Sequence, residues 1–231
     1  MSSTPSSAAI DPAQIADTSE QYTVTDRALA HHGWVWNVVG DSIDYHGTPI
    51  QREFIDHTGA VAVLAMDESE RELLISQYRH PVRRRNWEIP AGLLDHGPDE
   101  SPLAAAQREL AEEADLIADR WDLLLDFWTT PGGSNESIRI YLARELRPTP
   151  QQFTRVHEEA DIQCCWMHLD DAVSAIFADR FHNPALLQAL FAANECRRRN
   201  WQPLRAADTP WPTRPGMPTP VPRALQDGAT A

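Results

Sequence analysis

The chain has 231 residues, 42% of them hydrophobic and 23% charged, which is the composition of a globular protein with a full core. Acidic residues outnumber basic ones by 34 to 20, and the net charge of -14 disfavours binding of nucleic acid through a basic face. No apolar run approaches the roughly 20 residues of a transmembrane helix, and Met1 to Ser7 lacks the pattern of a secretory signal. We therefore expect a cytoplasmic protein without a membrane partner, in which three cysteines stay reduced.

The pattern of apolar residues predicts strands first and a mixture of strands and helices later. The run 60–66 (A-V-A-V-L-A-M) is continuously apolar, which is typical of a central strand buried on both faces. Further strands are predicted at 34–45, 51–56, 72–79, 87–91, 122–128, 137–144 and 161–168. Helices are predicted from Ser101–Pro102 to about 116, from an Asp170 cap to about 178, and from Asn183–Pro184 to about 198. This order predicts a mixed sheet flanked by helices.

Both ends of the chain differ in composition from the body. Residues 1–18 are rich in Ser, Thr, Ala, Pro and Asp and predict a disordered tail. Residues 201–231 contain repeated prolines, which exclude a helix or a central strand and favour an extended coil. This second tail either packs across the body, with Trp201 and Trp211 as anchors, or stays free of it.

The predicted helix after Pro102 carries an unusual group of acids. Glu109, Glu112 and Glu113 stand at positions i, i+3 and i+4, so their side chains are expected to converge within one turn. Like charges at this spacing destabilise a helix by roughly 0.2–0.5 kcal/mol per pair. Leu103, Leu110, Ala114 and Ile117 are predicted to share a different arc, which faces the core. The acids are explained either as a solvated face or as oxygen ligands for a hard cation such as Mg²⁺ beside a phosphate substrate.

The context of these acids resembles the Nudix box, G-x5-E-x7-R-E-U-x-E-E-x-G-U, in which U is aliphatic. Gly92 matches the first glycine, Glu100 the loop acid, and Arg108 to Glu113 the R-E-U-x-E-E core. Two features depart from the pattern: the first loop is two residues longer, and Asp115 stands in place of the last glycine. The segments on either side of the box also match. The box and these segments together resemble the actinobacterial ADP-ribose pyrophosphatases, and the resemblance covers about residues 51–193; the segments are 78–80, 87–95, 130–137 and 157–161.

This resemblance implies an α+β protein with the Nudix fold, an α/β/α sandwich with a mixed central sheet and an N-terminal antiparallel strand region. It implies that the Ala91 carbonyl, Glu109 and Glu113 hold Mg²⁺, with Glu112 beside them and Mn²⁺ as a substitute ion. It also implies that Arg108 orients the box carboxylates, since arginine binds carboxylates in a bidentate manner. The general base is expected in the segment 157–159, as Glu158, with Glu159 as the alternative base or a metal ligand.

The resemblance also indicates residues that contact a substrate and a second subunit. It implies that Arg79 contacts phosphate, that Glu88 lies near the adenine, and that Arg52 reaches the substrate across a homodimer. Gly133 and Glu136 belong to a loop that is expected either to present backbone N–H groups to the ribose or phosphate or to form a simple turn. Leu94, two residues after the box glycine, is also expected to contact the substrate. Trp34 and Trp36 are either platforms for the adenine or part of the dimer interface.

The implied organisation is a dimerising β region at 19–58 and a hydrolase domain at 59–200. The implied activity is Mg²⁺-dependent hydrolysis of ADP-ribose to AMP and ribose 5-phosphate by attack of water on the diphosphate. Another nucleoside diphosphate sugar or a dinucleotide is the alternative substrate. A non-catalytic nucleotide-sensing module of the same family is a third hypothesis, disfavoured because the box glutamates are all present.

Overall fold

The computed structural model describes residues 11–97, 99–150, 153, 155, 160–202 and 204–215. Within these residues the chain forms three sheets and three α-helices. The strands are β1 Thr23–His32, β2 Asn37–Tyr45, β3 Thr48–Asp56, β4 Ala60–Ala65, β5 Arg71–Arg79, β6 Arg84–Glu88, β7 Ala91–Leu93, β8 Leu116–Trp128, β9 Ser137–Pro148, β10 Gln163–His168 and β11 Arg205–Ala206. The helices are α1 Pro102–Ala114, α2 Leu169–Phe177 and α3 Pro184–Arg198.

The first three strands form an antiparallel meander that stands apart from the rest of the strands. β2 lies in the middle and pairs with β1 on one side and β3 on the other. The β2–β3 hairpin turns at His46 and Gly47, which both have positive φ, as a two-residue hairpin turn requires. Nine of the ten positions of β1 are exposed, so this sheet contributes little to the core.

Strand β4 lies at the centre of the molecule. It belongs to a five-stranded sheet in the order β11–β8–β9–β4–β7, in which β4 runs parallel to β9 and antiparallel to β7. All its residues are buried, as the apolar run predicts. Because side chains alternate along a strand, Val61 and Val63 pack in the core cluster under α1, whereas Ala62 and Leu64 pack in the cluster under α2 and α3. This is the α/β/α sandwich with a mixed sheet that was predicted.

A third sheet, in the order β10–β5–β6, completes the body. Leu74 of β5 packs in the core cluster that α2 and α3 cover, through Leu169, Leu186 and Leu190. Asn183 caps α3 by accepting a hydrogen bond from the Leu186 amide at 2.9 Å, which confirms the predicted start of that helix. No helix in the described part of the chain is long and apolar enough to span a lipid bilayer.

Three sequence predictions of local structure were wrong in detail, and one strand was missed. β1 was not predicted, because an exposed strand carries no apolar alternation. The segment 87–91 is divided between β6 and β7, which join different sheets on either side of Pro90. Helix α1 ends at Ala114, so Ile117 lies in β8 and not on the helix. Helix α2 follows His168, and Asp170 lies in its first turn rather than at the cap.

The described part of the C-terminal tail packs across the body. β11 pairs with β8, and the Trp211 ring lies 4.8 Å from the guanidinium carbon of Arg139. Arg139 also donates hydrogen bonds to the carbonyls of Thr209 and Pro210 at 2.7 and 3.2 Å. Trp201 lies over Arg144 at 5.2 Å. Of the two alternatives, packing is therefore the one found for residues 204–215, and residues 216–231 lie outside the described range.

Candidate active site

Helix α1 places the box acids against strand β7. Its start is fixed by Ser101, whose Oγ accepts a hydrogen bond from the Ala104 amide at 3.1 Å, with Pro102 as the first helical residue. Leu110 and Ala106 are fully buried under the central sheet. The helix is therefore anchored along one side, and the acids of its second half lie beside the edge strand of the sheet.

Two of the glutamates contact the backbone of β7 directly. The Ala91 amide donates a hydrogen bond to Glu113 Oε2 at 2.9 Å, and Glu113 is only 6% exposed. Glu109 lies over Gly92 so closely that a Cβ atom added there would stand 1.9 Å from Glu109 Oε1. A glycine is therefore required at position 92 for this approach. Ala91, Glu109 and Glu113, the three predicted metal ligands, meet at one point of the fold.

Arg108 lies among the remaining acids. It donates to Glu109 Oε1 at 2.6 Å, to Glu112 Oε2 at 3.1 Å and to Glu100 Oε1 at 2.9 Å. Burial alone would lower the pKa of Arg108, but the hydrogen bond to Glu100 and the charge of Glu109 raise this pKa above its usual value. The same hydrogen bond lowers the pKa of Glu100. Arg108 is therefore in contact with the carboxylates that it was predicted to orient.

The convergence of the acids differs from the simple expectation. Among the described residues, no three His, Cys, Asp or Glu side chains form a group that could hold a metal ion. Arg108 is a counter-ion shared by two of the acids, because its Nη1 forms an ion pair with Oε1 of Glu109 and with Oε2 of Glu112. The donor types nevertheless fit a hard cation, because carboxylate and carbonyl oxygens are the ligands that Mg²⁺ prefers. The close approach that Gly92 permits supports the same assignment.

The predicted contacts of Arg79 and Glu88 with substrate stay predictions. In the structure the two side chains bind each other through two hydrogen bonds, of 2.9 and 2.7 Å, between neighbouring strands. The Glu88 side chain is 3% exposed and that of Arg79 is 44% exposed. Arg79 is therefore the member of the pair that solvent reaches.

A second group of predicted residues meets at the end of β3, through a residue that sequence reasoning missed. The Trp36 ring stacks on the His57 ring with centroids 5.3 Å apart, and His57 Nε2 lies 3.2 Å from Glu136 Oε1. Gly133 belongs to the same loop and accepts a hydrogen bond from the Ile55 amide at 2.9 Å. Burial lowers the pKa of His57, against the charges of Glu136 and Asp56. A lone histidine between two strands gave no signal in the sequence.

The other predicted residues that the structure describes do not join these two groups. Arg52 is exposed on β3 and donates to the Gln51 carbonyl. Trp34 is fully exposed in the loop after β1. Leu94 is 4% exposed and packs in the core cluster with Leu110, and its predicted contact with substrate stays a prediction. His157, Glu158 and Glu159 lie outside the described residues.

Known proteins support the same assignment of the fold and family. Residues 56–190 match the model of the NUDIX domain. The chain is 38% identical over 194 residues to an ADP-ribose pyrophosphatase of Mycobacterium tuberculosis, covering 84% of this chain and 92% of the relative. It is 34% identical over 131 residues to an ADP-ribose pyrophosphatase of Bacillus subtilis, covering 57% of this chain and 69% of the relative.

A solved structure agrees at the level of the fold. The crystal structure of an ADP compounds hydrolase superposes with a TM-score of 0.66 and 19% identity, covering 80% of this chain and all of that one. The sequence match covers the segment that carries the box helix, β7 and the Glu136 loop. The chain therefore belongs to the Nudix family and is a Nudix hydrolase similar to the ADP-ribose pyrophosphatases.

Proposed function

We propose that this protein is a Mg²⁺-dependent pyrophosphatase that hydrolyses ADP-ribose to AMP and ribose 5-phosphate. The observation that carries the proposal is the placement of Glu109 and Glu113 against the Ala91–Gly92 backbone, within the helix that has the box sequence. The substrate is suggested by the relatives of 38% and 34% identity, which are ADP-ribose pyrophosphatases.

In this proposal the Ala91 carbonyl, Glu109 and Glu113 hold the ion, with Glu112 beside them. A bound Mg²⁺ neutralises charge on the diphosphate and lowers the pKa of a water molecule. Arg108 keeps the carboxylates in place through its hydrogen bonds to Glu109 and Glu112. Because Ala91 donates its amide to Glu113, the carboxylate of Glu113 is held in one orientation before any substrate arrives.

The chemical step is attack of water on one phosphorus of the diphosphate. A base removes the proton of the water while its oxygen bonds to phosphorus, and the bond from that phosphorus to the bridging oxygen breaks. The second phosphate leaves with the bridging oxygen, so one water is consumed for the two monophosphates. We propose Glu158 as the base, with Glu159 as the alternative. Arg79 is proposed to bind the substrate phosphates, with Glu88 fixing its guanidinium.

We also propose a homodimer formed through the β region of residues 19–58. The meander β1–β3 exposes apolar side chains, among them Trp34, Val35 and Trp36 at 101%, 62% and 42%. Exposed apolar surface of this kind marks an interaction site. A second copy placed on it would bring Arg52 and Trp36 toward a substrate bound at the partner's box. Light scattering coupled to size exclusion tests the dimer, and a monomer at micromolar concentration would contradict it.

The activity is tested by a coupled phosphatase assay with ADP-ribose, a UDP-sugar and a dinucleotide, each with and without Mg²⁺. We expect ADP-ribose to be the preferred substrate, with AMP and ribose 5-phosphate identified by chromatography. Glu113→Gln is expected to lower kcat by at least about a hundredfold, since even the partners of metal ligands contribute 10–100-fold. The matched control is Glu195→Gln on α3. Near-wild-type turnover of the Glu113 variant would refute the ligand assignment.

A further inference from the structure

Three consecutive arginines, Arg83, Arg84 and Arg85, lie in the β5–β6 hairpin, and all three are exposed. They form a local excess of positive charge in a chain whose net charge is -14. Arg83 is the turn residue, with φ 52°, and belongs to neither strand. Arg84 and Arg85 begin β6, and successive residues of a strand point to opposite faces of its sheet. The three charges are therefore directed to three different places.

The fold uses Arg85 but makes no use of Arg84. Arg85 Nη1 donates to the carbonyls of Ser76 and Asp161 at 3.3 and 3.2 Å. Arg84 lies opposite Arg79, and its side chain has no hydrogen bond and no ion pair with any other described residue. Like charges directly opposite each other destabilise a pair of strands. An arginine at position 84 is therefore not explained by the stability of the hairpin.

Arg84 lies on the face of its sheet that is directed toward the box helix. Leu73 of β5 packs with Leu110 in the core cluster under α1. Arg79 stands six residues after Leu73 in the same strand, so the two side chains point to the same face. Residues that lie opposite each other on neighbouring strands share a face, which places Arg84 there with Arg79.

The two positive charges on this face differ in what they offer to a ligand. Arg79 is neutralised by Glu88, which accepts two hydrogen bonds from it and has a side chain only 3% exposed. Glu88 stands three residues before Ala91, and three residues of chain span at most about 11 Å. This neutral pair therefore borders the proposed metal site. Arg84 follows at the outer end of the same face, where its charge is not compensated by a described residue.

We propose that Arg84 is a further substrate-binding residue, which donates hydrogen bonds to a phosphate group of the substrate. A guanidinium suits this ligand, because it binds phosphate oxygens in a bidentate manner and stays charged at any working pH. The inference rests on the proposed function, in which Arg79 binds the same diphosphate. It assigns the net positive charge of that subsite to Arg84, since Glu88 cancels the charge of Arg79.

The test compares Arg84→Gln and Arg84→Lys with Arg83→Gln, a matched control that removes the same charge from the turn. With ADP-ribose and Mg²⁺, KM should rise about tenfold in Arg84→Gln, the size expected for hydrogen bonds to a charged group. Its kcat should stay within about twofold, since a contact made equally in the ground and transition states changes KM alone. Arg84→Lys should recover part of the loss, because it keeps the charge without the bidentate geometry.

The control separates a contact from attraction at long range. Arg83 and Arg84 are adjacent, well within the roughly 10 Å over which charges act in 0.1 M salt, so steering by charge would raise KM equally in both glutamine variants. Equal changes would overturn the inference, and so would a wild-type KM in Arg84→Gln. The melting temperature of Arg84→Gln should not fall, because a like-charge pair is removed. A fall would overturn the inference by assigning the change in KM to the fold.

Binding of inorganic pyrophosphate, measured by calorimetry with Mg²⁺, tests the same residue without turnover. This probe has the diphosphate but neither a base nor a sugar, so its Kd should rise about tenfold in Arg84→Gln and stay unchanged in Arg83→Gln. An equal Kd in the wild type and Arg84→Gln, or no binding to the wild type, would overturn the proposal. If the wild type does not hydrolyse ADP-ribose, the proposed substrate fails, and the pyrophosphate comparison still decides the role of Arg84.

Discussion

Replacing Glu72 by glutamine is expected to stabilise the protein increasingly as the pH rises. Glu72 lies in β5 opposite Met167 of β10 and has no solvent exposure. No donor among the described residues bonds to either of its carboxyl oxygens. Burial raises the pKa of Glu72 to about 8, with smaller contributions from the charges of Asp67 and Glu70 against that of Arg197. The folded protein therefore holds this side chain protonated at neutral pH.

The size of the effect follows from the difference between the folded and unfolded pKa values. The folded pKa of about 8 lies above the ordinary glutamate value of 4.5, so between these values the folded state keeps a proton that the unfolded chain releases. Folding stability contributed by this group is complete below pH 4.5 and is lost as the pH rises through 8. At 1.36 kcal/mol per pKa unit the total loss is about 5 kcal/mol, of which about 3 kcal/mol is lost by pH 7.

Urea unfolding of the wild type and the Glu72→Gln variant at several pH values measures this term. Glutamine has nearly the same shape and does not titrate, so the gap between the two unfolding free energies should widen by about 4 kcal/mol from pH 5 to pH 9. Glu53→Gln, at an exposed position of β3, is the control and should show no such trend. A gap that stays constant across this range would refute the assignment of Glu72 as a buried, protonated acid.

Three further changes test the site and the core. Gly92→Ala should leave the unfolding free energy within about 1 kcal/mol, because only the flexible Glu109 side chain must move, but should lower kcat about tenfold to a hundredfold in the Mg²⁺ assay. Ser101→Ala removes the cap of α1 and should lower the unfolding free energy by about 1 kcal/mol in urea. Trp211→Ala should remove about 2 kcal/mol by exposing Arg139, and an unchanged urea midpoint would show that the tail does not support the body.

The sequence predicts best those parts of the fold in which local pattern and tertiary environment agree. The apolar run of β4 is buried on both faces because helices cover both sides of its sheet. Asn183 starts α3 through a contact three residues away. β1 could not be predicted in the same way, because an exposed strand is specified by its partner strand rather than by its own apolar residues.

The same distinction applies to the site, where contacts within one helix could be predicted and contacts between distant parts of the chain could not. Glu109 and Glu113 were predicted because their spacing lies within one helical turn, where the geometry is fixed by the backbone. His57 was not, since its contact with Glu136 joins residues that are far apart in the chain. The two hydrogen bonds that Arg79 donates to Glu88 were missed for a related reason. Each residue was assigned to a substrate, whereas strand pairing places the two side chains together.

Acids in three places of the described structure contradict local rules, and these places separate into two kinds. Glu109 with its neighbours at i+3 and i+4, and Asp115 in a left-handed conformation, are both compensated by an arginine, Arg108 in the first case and Arg155 in the second. Local violations that are compensated in this way are expected at functional sites. Glu72 has no such compensation within hydrogen-bonding distance among the described residues, and it stays buried by remaining neutral. Replacing a carboxyl group by its amide should therefore reduce activity at Glu109 and Glu113, and at Glu72 it should increase stability as the pH rises.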